Sequence, residues 1–310
     1  MKVLLSSLPH LGHVVPMAVL KKALESAGHE VRWEIPEYDT KFSGPLAEHL
    51  ARFQNLAAHS RAKFLEILSR ESFDLLVTDP TIFAVEEVGN KAGIPWALFS
   101  NLPLFYPFSR TPLVIQGSVP EFEEISRPNL HYVGPILPFS LINIEYPENF
   151  SQIARSAKPV LYVTQGTVAT QGASLIKTCQ EIASNRYLVV DKYIQHTYFM
   201  PLADVFITNG GYGGVQAALW HGIPMIIAGE TEDKPIIAAK AQSCGVAVDL
   251  KTANPSKKQL KEAVNYVLNS RNMRTRSKEL ARECKKYSLS TGIRALEQLA
   301  GYSTRRFANG

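Results

Sequence analysis

The chain has little cysteine: three residues among 310, namely Cys179, Cys244 and Cys284. Their number is odd, they lie far apart, and they lack the paired spacing of a zinc-binding motif. A disulfide framework, which small secreted domains use in place of a large core, is therefore not expected. The cysteines are typical of reduced thiols in a cytoplasmic protein.

Long hydrophobic runs and strong charge are also missing. No apolar stretch approaches the roughly 18 residues that a membrane span needs, and Ser, Pro, His and Gly interrupt the apolar N-terminus too early for a signal peptide. The net charge is +5, and its densest basic segment, RNMRTRSKELARECKK, contains glutamates at helical spacing, which favours a solvated helix face. We expect a soluble protein with no nucleic-acid partner and no stable membrane insertion.

Two blocks of alternating strand and helix patterns fill most of the chain. A length of 310 residues is too great for one small core and suits two α/β domains. Strands that alternate with helices imply parallel sheets with right-handed crossovers. We predict an N-terminal domain over residues 1–137, a proline-rich linker over 138–158, and a C-terminal domain over 159–310 that includes the C-terminal helices.

The apolar patterns place the individual elements. They predict strands at residues 2–5, 30–35, 74–79, 95–100, 187–190 and 224–229. They also predict a strand with its turn at residues 160–167 and a strand that runs into the glycine-rich motif at residues 203–211. Helices are predicted at residues 15–27, 65–70, 82–92, 173–183, 215–220 and over most of the chain after 255. A loop rich in proline and glycine is expected at residues 8–13.

A glycine-rich segment, ITNGGYGGVQAALWHGIP, follows one of the predicted strands and leads into a helix. Such a turn exposes backbone N–H groups and the positive end of the helix dipole, and both favour a bound phosphate. Its spacing matches neither the dinucleotide fingerprint nor the P-loop. The residues alone leave a structural turn and a phosphate site both open.

A polar cluster follows the next predicted strand, in the segment GETEDKP. It contains Glu230, Glu232, Asp233 and Lys234. Because α/β domains bind ligands at the carboxyl ends of their parallel strands, this cluster and the glycine-rich turn are predicted to face one crevice. A solvated loop is the alternative.

His13 and Asp79 are predicted at the carboxyl edge of the first sheet. His13 lies in the loop after the first strand, and Asp79 ends the strand DLLVTD. A carboxylate that holds one imidazole nitrogen makes the other nitrogen a better general base. A histidine at a helix start and an aspartate N-cap would explain the same residues, and spacing alone favours that structural interpretation.

Four segments in this order carry a resemblance to a known family: GHVVPM, TDPTIFAVEEVGNKAGIPWALFS, VTQGT and TNGGYGGVQAALWHGIPMIIAGETEDKP. They resemble the family 1 nucleotide-sugar glycosyltransferases of the GT-B fold, above all bacterial enzymes of the macrolide and natural-product type. The resemblance implies two doubly wound, Rossmann-like domains that face a central cleft. The N-terminal domain would bind the acceptor and the C-terminal domain the sugar donor.

The resemblance also implies roles for single residues. His13, rather than His10, matches the catalytic base, and Asp79 matches the residue that orients it. The implied donor-binding residues are Gly166, Thr167, Asn209, Gly210, Gly211, Gly213, Gly214, Val215, Gln216, Glu232, Asp233 and Lys234. Apolar residues that suit an acceptor pocket are Phe99, Leu102, Phe105 and Tyr106, for which core packing is the alternative.

The implied reaction moves a hexose or deoxyhexose from a UDP- or dTDP-sugar to a hydroxyl of a lipophilic small molecule. Inversion at the anomeric carbon is expected, with no cofactor and no metal, because backbone amides and the helix dipole stabilise the leaving diphosphate. Two alternatives stay open: a non-catalytic helper that binds nucleotide sugars, and a GT-B nucleotide-sugar epimerase or hydrolase.

Three residues depart from the family pattern. Asn209 stands where the family usually has His, and it can donate to a phosphate without carrying charge. Ala217 stands where many members place a Glu on the ribose hydroxyls, which suggests a deoxyribose donor or the use of Gln216 instead. Lys234 replaces a common Gln and is expected to pair with a phosphate or with a carboxylated or otherwise polar sugar, or to point to solvent.

The chain is also shorter than is common in the family. It is contracted near residues 43–45, 110–113 and 190–191, and the first two regions would hold much of the acceptor pocket. A parallel crossover of about a dozen residues cannot fit between Val190 and Asp191. We expect either one long strand or hairpin there, or additional residues in the intact protein, whose mass would then exceed 34.4 kDa.

Overall fold

The computed structural model describes residues 1–36, 46–104, 111–141, 150–155, 157–165, 174–183, 188–190 and 199–302. Within these ranges the chain forms two sheets flanked by helices. The α/β fold predicted from the alternation of strands and helices is confirmed. No helix of the described ranges has the length and apolar character needed to cross a membrane.

The first sheet has six strands in the order β2-β1-β3-β4-β5-β6, and every pair is parallel. Its strands are β1 (Lys2–Ser6), β2 (Glu30–Glu34), β3 (Leu75–Thr78), β4 (Trp96–Ser100), β5 (Val114–Gln116) and β6 (Leu130–Tyr132). The helices among them are α1 (Leu11–Ser26), α2 (Leu46–Leu68), α3 (Ala84–Ala92) and α4 (Pro120–Glu123).

The second sheet has five parallel strands in the order β11-β10-β9-β7-β8. Its strands are β7 (Val160–Thr164), β8 (Leu188–Val190), β9 (Val205–Thr208), β10 (Met225–Ile227) and β11 (Ala247–Asp249). The remaining helices are α5 (Phe150–Ala154), α6 (Ser174–Ile182), α7 (Tyr212–His221), α8 (Lys234–Ser243), α9 (Lys257–Asn269), α10 (Arg271–Cys284) and α11 (Leu289–Leu299), with 3-10 turns at Pro138–Leu141 and Met200–Leu202.

The central strands of each sheet are buried on both faces, as is usual for parallel sheets. In β1, Val3 and Leu5 pack into one apolar cluster and Leu4 into another on the opposite face. In β7 the same alternation sends Tyr162 to one side and Leu161 to the other. Near-continuous apolar strands such as these explain why the sequence pattern located them.

Each sheet has one point where the chain reverses the direction in which it adds strands. In the first sheet, β2 and β3 lie on opposite sides of β1. In the second sheet, β8 and β9 lie on opposite sides of β7. The carboxyl ends of β1 and β3, and those of β7 and β9, therefore border the crevices where doubly wound sheets bind ligands.

The last helix, α11, returns to the first sheet. Its residues Ile293 and Leu296 belong to the same core cluster as Val3 and Leu5. His29 Nε2 and Glu297 Oε1 lie 2.9 Å apart in this contact, and both side chains are buried. The final helix of the predicted segment 159–310 thus packs on the N-terminal sheet, and the domain boundaries stay a prediction.

Several predicted element boundaries differ from the structure. The helix predicted from residue 15 begins at Leu11, because Gly12 is accommodated within α1, so His13 lies in its first turn and not in a loop. The helix predicted from residue 215 begins at Tyr212. Residues 191–198 lie outside the described ranges, so the expected long strand or hairpin at 190–191 is not tested.

Candidate active site

A histidine and an aspartate meet at the switch point of the first sheet. His13 Nδ1 lies 3.0 Å from Asp79 Oδ2. The same carboxylate accepts hydrogen bonds from the Leu8 N–H at 2.9 Å, from the Thr81 N–H at 2.8 Å and from the Thr81 hydroxyl. Asp79 directly follows β3, and His13 is held by the first turn of α1, so the sheet topology places the pair.

The surroundings of Asp79 keep its carboxyl group ionised. Burial opposes the charged form, but the nearby His13 and the hydrogen bonds from His13, Thr81 and Leu8 outweigh it and lower the pKa below the ordinary 3.8. An ionised carboxylate only accepts hydrogen bonds, so His13 Nδ1 is the donor. Nε2 is then the basic nitrogen, which is the tautomer that a general base requires.

A small cavity lies beside this pair. It is lined by Gly12, His13, Pro16, Met17, Asp79, Pro80, Phe99, Asn101 and Leu102. Two of the predicted acceptor residues, Phe99 and Leu102, are thus brought to His13. Phe99 is also only 1% exposed and belongs to the core cluster around β1, so the core-packing alternative holds for most of its ring. The other two, Phe105 and Tyr106, lie outside the described residues.

The glycine-rich turn forms the open N-terminus of α7. Gly210 has φ +88°, and a Cβ there would lie 2.7 Å from Ile227 Cγ2, so a larger residue would be strained twice. Gly211 is the N-cap and provides no side-chain hydrogen bond. Open space faces the position of a Cβ at Gly213. The first N–H groups of a helix have no intrahelical partner, and no capping side chain satisfies them among the residues that the structure describes.

Asn209 bridges the switch point of the second sheet. Its Nδ2 donates to the main-chain carbonyl of Gln165 at 2.7 Å, which joins the end of β9 to the end of β7. Its Oδ1 is buried and has no hydrogen-bond partner among the residues that the structure describes. Gly166 and Thr167 follow Gln165 and lie outside those residues. Asn209 thus holds the carbonyl at the end of β7, and its donation to a phosphate stays a prediction.

The acidic cluster lies across from His13. Burial raises the pKa of Asp233, while the Lys234 charge and the His13 imidazole lower it. Burial lowers the pKa of His10, and the nearby charge of Glu232 partly opposes that shift. These groups therefore lie within electrostatic range of each other, in agreement with the facing domains that the resemblance implies.

Lys234 does not point to solvent. It is 5% exposed, and its Nζ donates to Glu232 and, at 3.3 Å, to Thr231 Oγ1. Glu232 has φ +58°, an unfavourable backbone conformation for this residue type. The loop is therefore held in one shape by a charge pair, and the solvent-exposed alternative for Lys234 is wrong.

Two predicted donor residues have other contacts. Gln216 is 1% exposed, and its Nε2 donates to Ser118 Oγ at 3.0 Å, across to the first sheet. Val215 is fully buried, so only its backbone can face a ligand. Ala217 also packs into the core, so the space of the missing Glu is not an open pocket at this position.

Four residues near the site were not found from the sequence. Gln116, Glu123, Tyr212 and Lys240 form a hydrogen-bonded group between the two sheets. Tyr212 stands inside the glycine-rich motif, which was the one available signal. The other three lie in short or undistinguished segments.

Solved structures of similar shape support the fold. A glycosyltransferase of kitacinnamycin superimposes with a TM-score of 0.83 over 96% of this chain and 98% of that chain, at 16% identity. Spinosyn rhamnosyltransferase SpnG in complex with thymidine diphosphate superimposes with a TM-score of 0.80 over 96% of this chain and all of that chain, at 17% identity. At these identities the likeness shows the GT-B fold alone.

Sequence comparison finds relatives among the glycosyltransferases. Residues 166–293 match the family described as erythromycin biosynthesis protein CIII-like, C-terminal domain. The 4'-demethylrebeccamycin synthase of Lentzea aerocolonigenes is 26% identical over 401 aligned positions that include 91% of this chain and 95% of that protein. UDP-glucosyltransferase A1 of Starmerella bombicola is 33% identical over 173 residues, which are 47% of this chain and only 37% of that protein.

The alignment with the Lentzea enzyme spans 401 positions, more than the 310 residues of this chain, so that relative contains insertions absent here. The fold, the facing carboxyl edges and these matches together define a glycosyltransferase of the GT-B type. These comparisons support a family 1 nucleotide-sugar glycosyltransferase of the bacterial natural-product type.

Proposed function

We propose that the protein transfers a hexose or deoxyhexose from UDP- or dTDP-sugar to a hydroxyl of a lipophilic small molecule, with inversion and without a metal. The observation that carries this proposal is the His13–Asp79 pair, whose Nδ1 and Oδ2 atoms lie 3.0 Å apart at the switch point of the first sheet. The names of relatives, among them a demethylrebeccamycin synthase and a UDP-glucosyltransferase, support the donor and acceptor classes.

His13 activates the acceptor in this proposal. Its Nε2 removes the proton of the acceptor hydroxyl as the oxygen attacks the anomeric carbon. Asp79 stabilises the imidazolium that forms, because its carboxylate already accepts from Nδ1. Phe99 and Leu102, which line the cavity beside His13, offer an apolar wall to the acceptor.

The open N-terminus of α7 receives the leaving diphosphate. As the bond from the anomeric carbon to the phosphate oxygen breaks, negative charge grows on the diphosphate. Backbone N–H groups of the first turn, together with the helix dipole, stabilise that charge. Displacement by an oxygen that enters opposite the leaving group inverts the anomeric centre.

The carboxylate of Asp233 is proposed to accept hydrogen bonds from the sugar hydroxyls. Lys234 is already paired with Glu232, so the buried ammonium is charge-compensated and the loop favours an uncharged sugar over a carboxylated one.

The described residues contain no group of three or more His, Cys, Asp and Glu side chains that could hold a metal ion. Retention of activity in excess EDTA is the direct test of metal independence.

The test of the function uses UDP-glucose and dTDP-glucose, each with and without a panel of phenolic and macrolide acceptors. Acceptor-dependent release of nucleoside diphosphate, with a new glycoside seen by mass spectrometry, is the expected result. Release without an acceptor would indicate a hydrolase, and an epimerised donor would indicate an epimerase. Donor binding with no turnover under any condition would indicate a non-catalytic helper.

A further inference from the structure

The buried carboxylate of Glu123 accepts hydrogen bonds from both sides of the cleft and lies apart from the His13–Asp79 pair. Glu123 is the last residue of α4, and its side chain has no exposed surface. It accepts hydrogen bonds from the Leu104 N–H at 3.1 Å, from the Tyr212 hydroxyl at 2.5 Å and from Lys240 Nζ at 2.6 Å. Lys240 also donates to the main-chain carbonyl of Glu123 at 3.1 Å.

The three donors come from three elements that border the cleft. Leu104 lies in the segment that follows β4, two residues after Leu102 beside the base. Tyr212 is the first residue of α7, whose N-terminus is the proposed diphosphate cradle. Lys240 belongs to α8, which begins directly after Asp233. One carboxylate thus contacts the acceptor side once and the donor side twice.

Tyr212 extends this connection. Its hydroxyl accepts from Gln116 Nε2 at 2.8 Å, and the same nitrogen donates to the Leu102 carbonyl at 2.9 Å. Burial and the nearby Glu123 raise the pKa of Tyr212 well above its ordinary value, so the phenol stays protonated and remains a donor. A second chain of hydrogen bonds, through Gln116, therefore connects the first turn of α7 to residues 102–104, which we call the acceptor segment.

A fully buried carboxylate is stable only while its charge is paired and its oxygens are hydrogen-bonded. A shift of any one of the three elements relative to the others would break a hydrogen bond to a charged group. Such bonds are stronger and more directional than neutral ones. The first turn of α7 and the segment at Leu104 are therefore held in fixed relation.

We propose that Glu123 is a positioning residue for both substrate sites: through Tyr212 it orients the amides of the diphosphate cradle, and through Leu104 it fixes the acceptor segment. Glu123 itself contacts neither substrate. The inference rests on the proposed transfer reaction, since the two sites are those assigned there.

Tyr212→Phe is the sharpest variant, because it removes one oxygen and keeps the ring. The donor KM is expected to rise about tenfold, the scale of one hydrogen bond to a charged group, while the acceptor KM stays within about twofold. Glu123→Gln should raise both KM values, because it weakens all three contacts. A loss of folded protein would instead lower kcat at unchanged KM.

Glu297→Gln is the matched control. Glu297 is a buried carboxylate that also joins distant parts of the chain, through its 2.9 Å contact with His29, but it lies on α11 away from the cleft. It should lower Tm as Glu123→Gln does and leave both KM values unchanged. Equal KM shifts in Glu297→Gln and Glu123→Gln would overturn the proposal.

Titration calorimetry with UDP and dTDP gives a measurement that needs no turnover. Tyr212→Phe should bind the nucleoside diphosphate that the wild type prefers about tenfold more weakly, the same scale as the KM effect. Wild-type affinity in Tyr212→Phe would overturn the positioning role. If the wild type binds a nucleoside diphosphate but transfers no sugar, the proposed reaction fails while this binding test still decides the role of Tyr212.

Discussion

The side-chain amide of Asn209 donates to the main-chain carbonyl of Gln165 at 2.7 Å and so joins the ends of β9 and β7. These two strands flank the switch point of the second sheet. A charged histidine in place of Asn209 would offer a phosphate one strong donor. The asparagine instead holds the carbonyl of Gln165, and its Oδ1 is buried with no hydrogen-bond partner among the described residues.

Asn209→Ala should therefore weaken donor binding by releasing the loop after β7. Loss of one buried hydrogen bond predicts a rise of about three- to tenfold in the donor KM, with the acceptor KM unchanged. Steady-state kinetics with each substrate varied in turn measures this. Asn269→Ala is the control, since Asn269 makes the same kind of amide-to-carbonyl bond, to Asn265 at 2.8 Å, at an exposed helix end. A donor KM unaffected by Asn209→Ala would contradict the bridging role.

Gly210→Ala should destabilise the protein and weaken donor binding together. The substitution combines a φ of +88° with a contact of 2.7 Å to Ile227, and strain of this kind costs about 1–3 kcal/mol. Gly28→Ala shares the positive φ, +85°, but meets no atom within 4 Å. Urea unfolding should show a larger loss of unfolding free energy for Gly210→Ala. Equal losses would mean that the approach of Ile227 does not matter.

Asp79→Asn should change both catalysis and the acid limb of stability. The folded pKa of Asp79 lies below its ordinary 3.8, so its ionised form contributes stability that is complete above that pH and is lost as the pH falls through the folded pKa. The variant should lose less stability than the wild type between about pH 4 and pH 2, measured by denaturant unfolding. Asp74→Asn, at an exposed aspartate, is the control, and an unchanged acid limb in Asp79→Asn would contradict the assignment.

His221 gives a second pH dependence, away from the cleft. Burial and the nearby Lys285 lower its pKa from 6.5 to about 4. The unfolded chain takes up this proton at a higher pH than the folded chain, so stability falls as the pH is lowered through that window. His221→Gln should flatten the curve of Tm against pH between 6.5 and 4, whereas the exposed His131→Gln should follow the wild type. A steep curve in His221→Gln would assign the effect to another group.

The sequence located the edges of the sheets that carry the site, because Asp79, Asn209 and Asp233 follow strongly apolar segments and His13 follows the apolar strand β1. The short strands β5, β6 and β11 have three residues each and no usable periodicity, so they were missed. The start of α1 was placed too late because Pro9 and Gly12 suggested a loop.

Contacts between the two sheets could not be read from the sequence. Glu123 meets Tyr212 and Lys240 across 89 and 117 residues of chain, and no local pattern encodes such a pairing. The hydrogen bond from Gln216 to Ser118 also depends on how the two sheets pack against each other. Periodicity predicts which face of an element is apolar, but the partner that covers that face follows only from the assembled fold.

The central claim is that His13 is the base of a sugar transfer, and single-turnover transfer by His13→Ala tests it most directly. Loss of a general base predicts a rate lower by about 100-fold or more, with the affinity for UDP or dTDP unchanged in calorimetry. The exposed His59→Ala, with the same change of side chain, should transfer at the wild-type rate. Transfer by His13→Ala at the wild-type rate would contradict the mechanism.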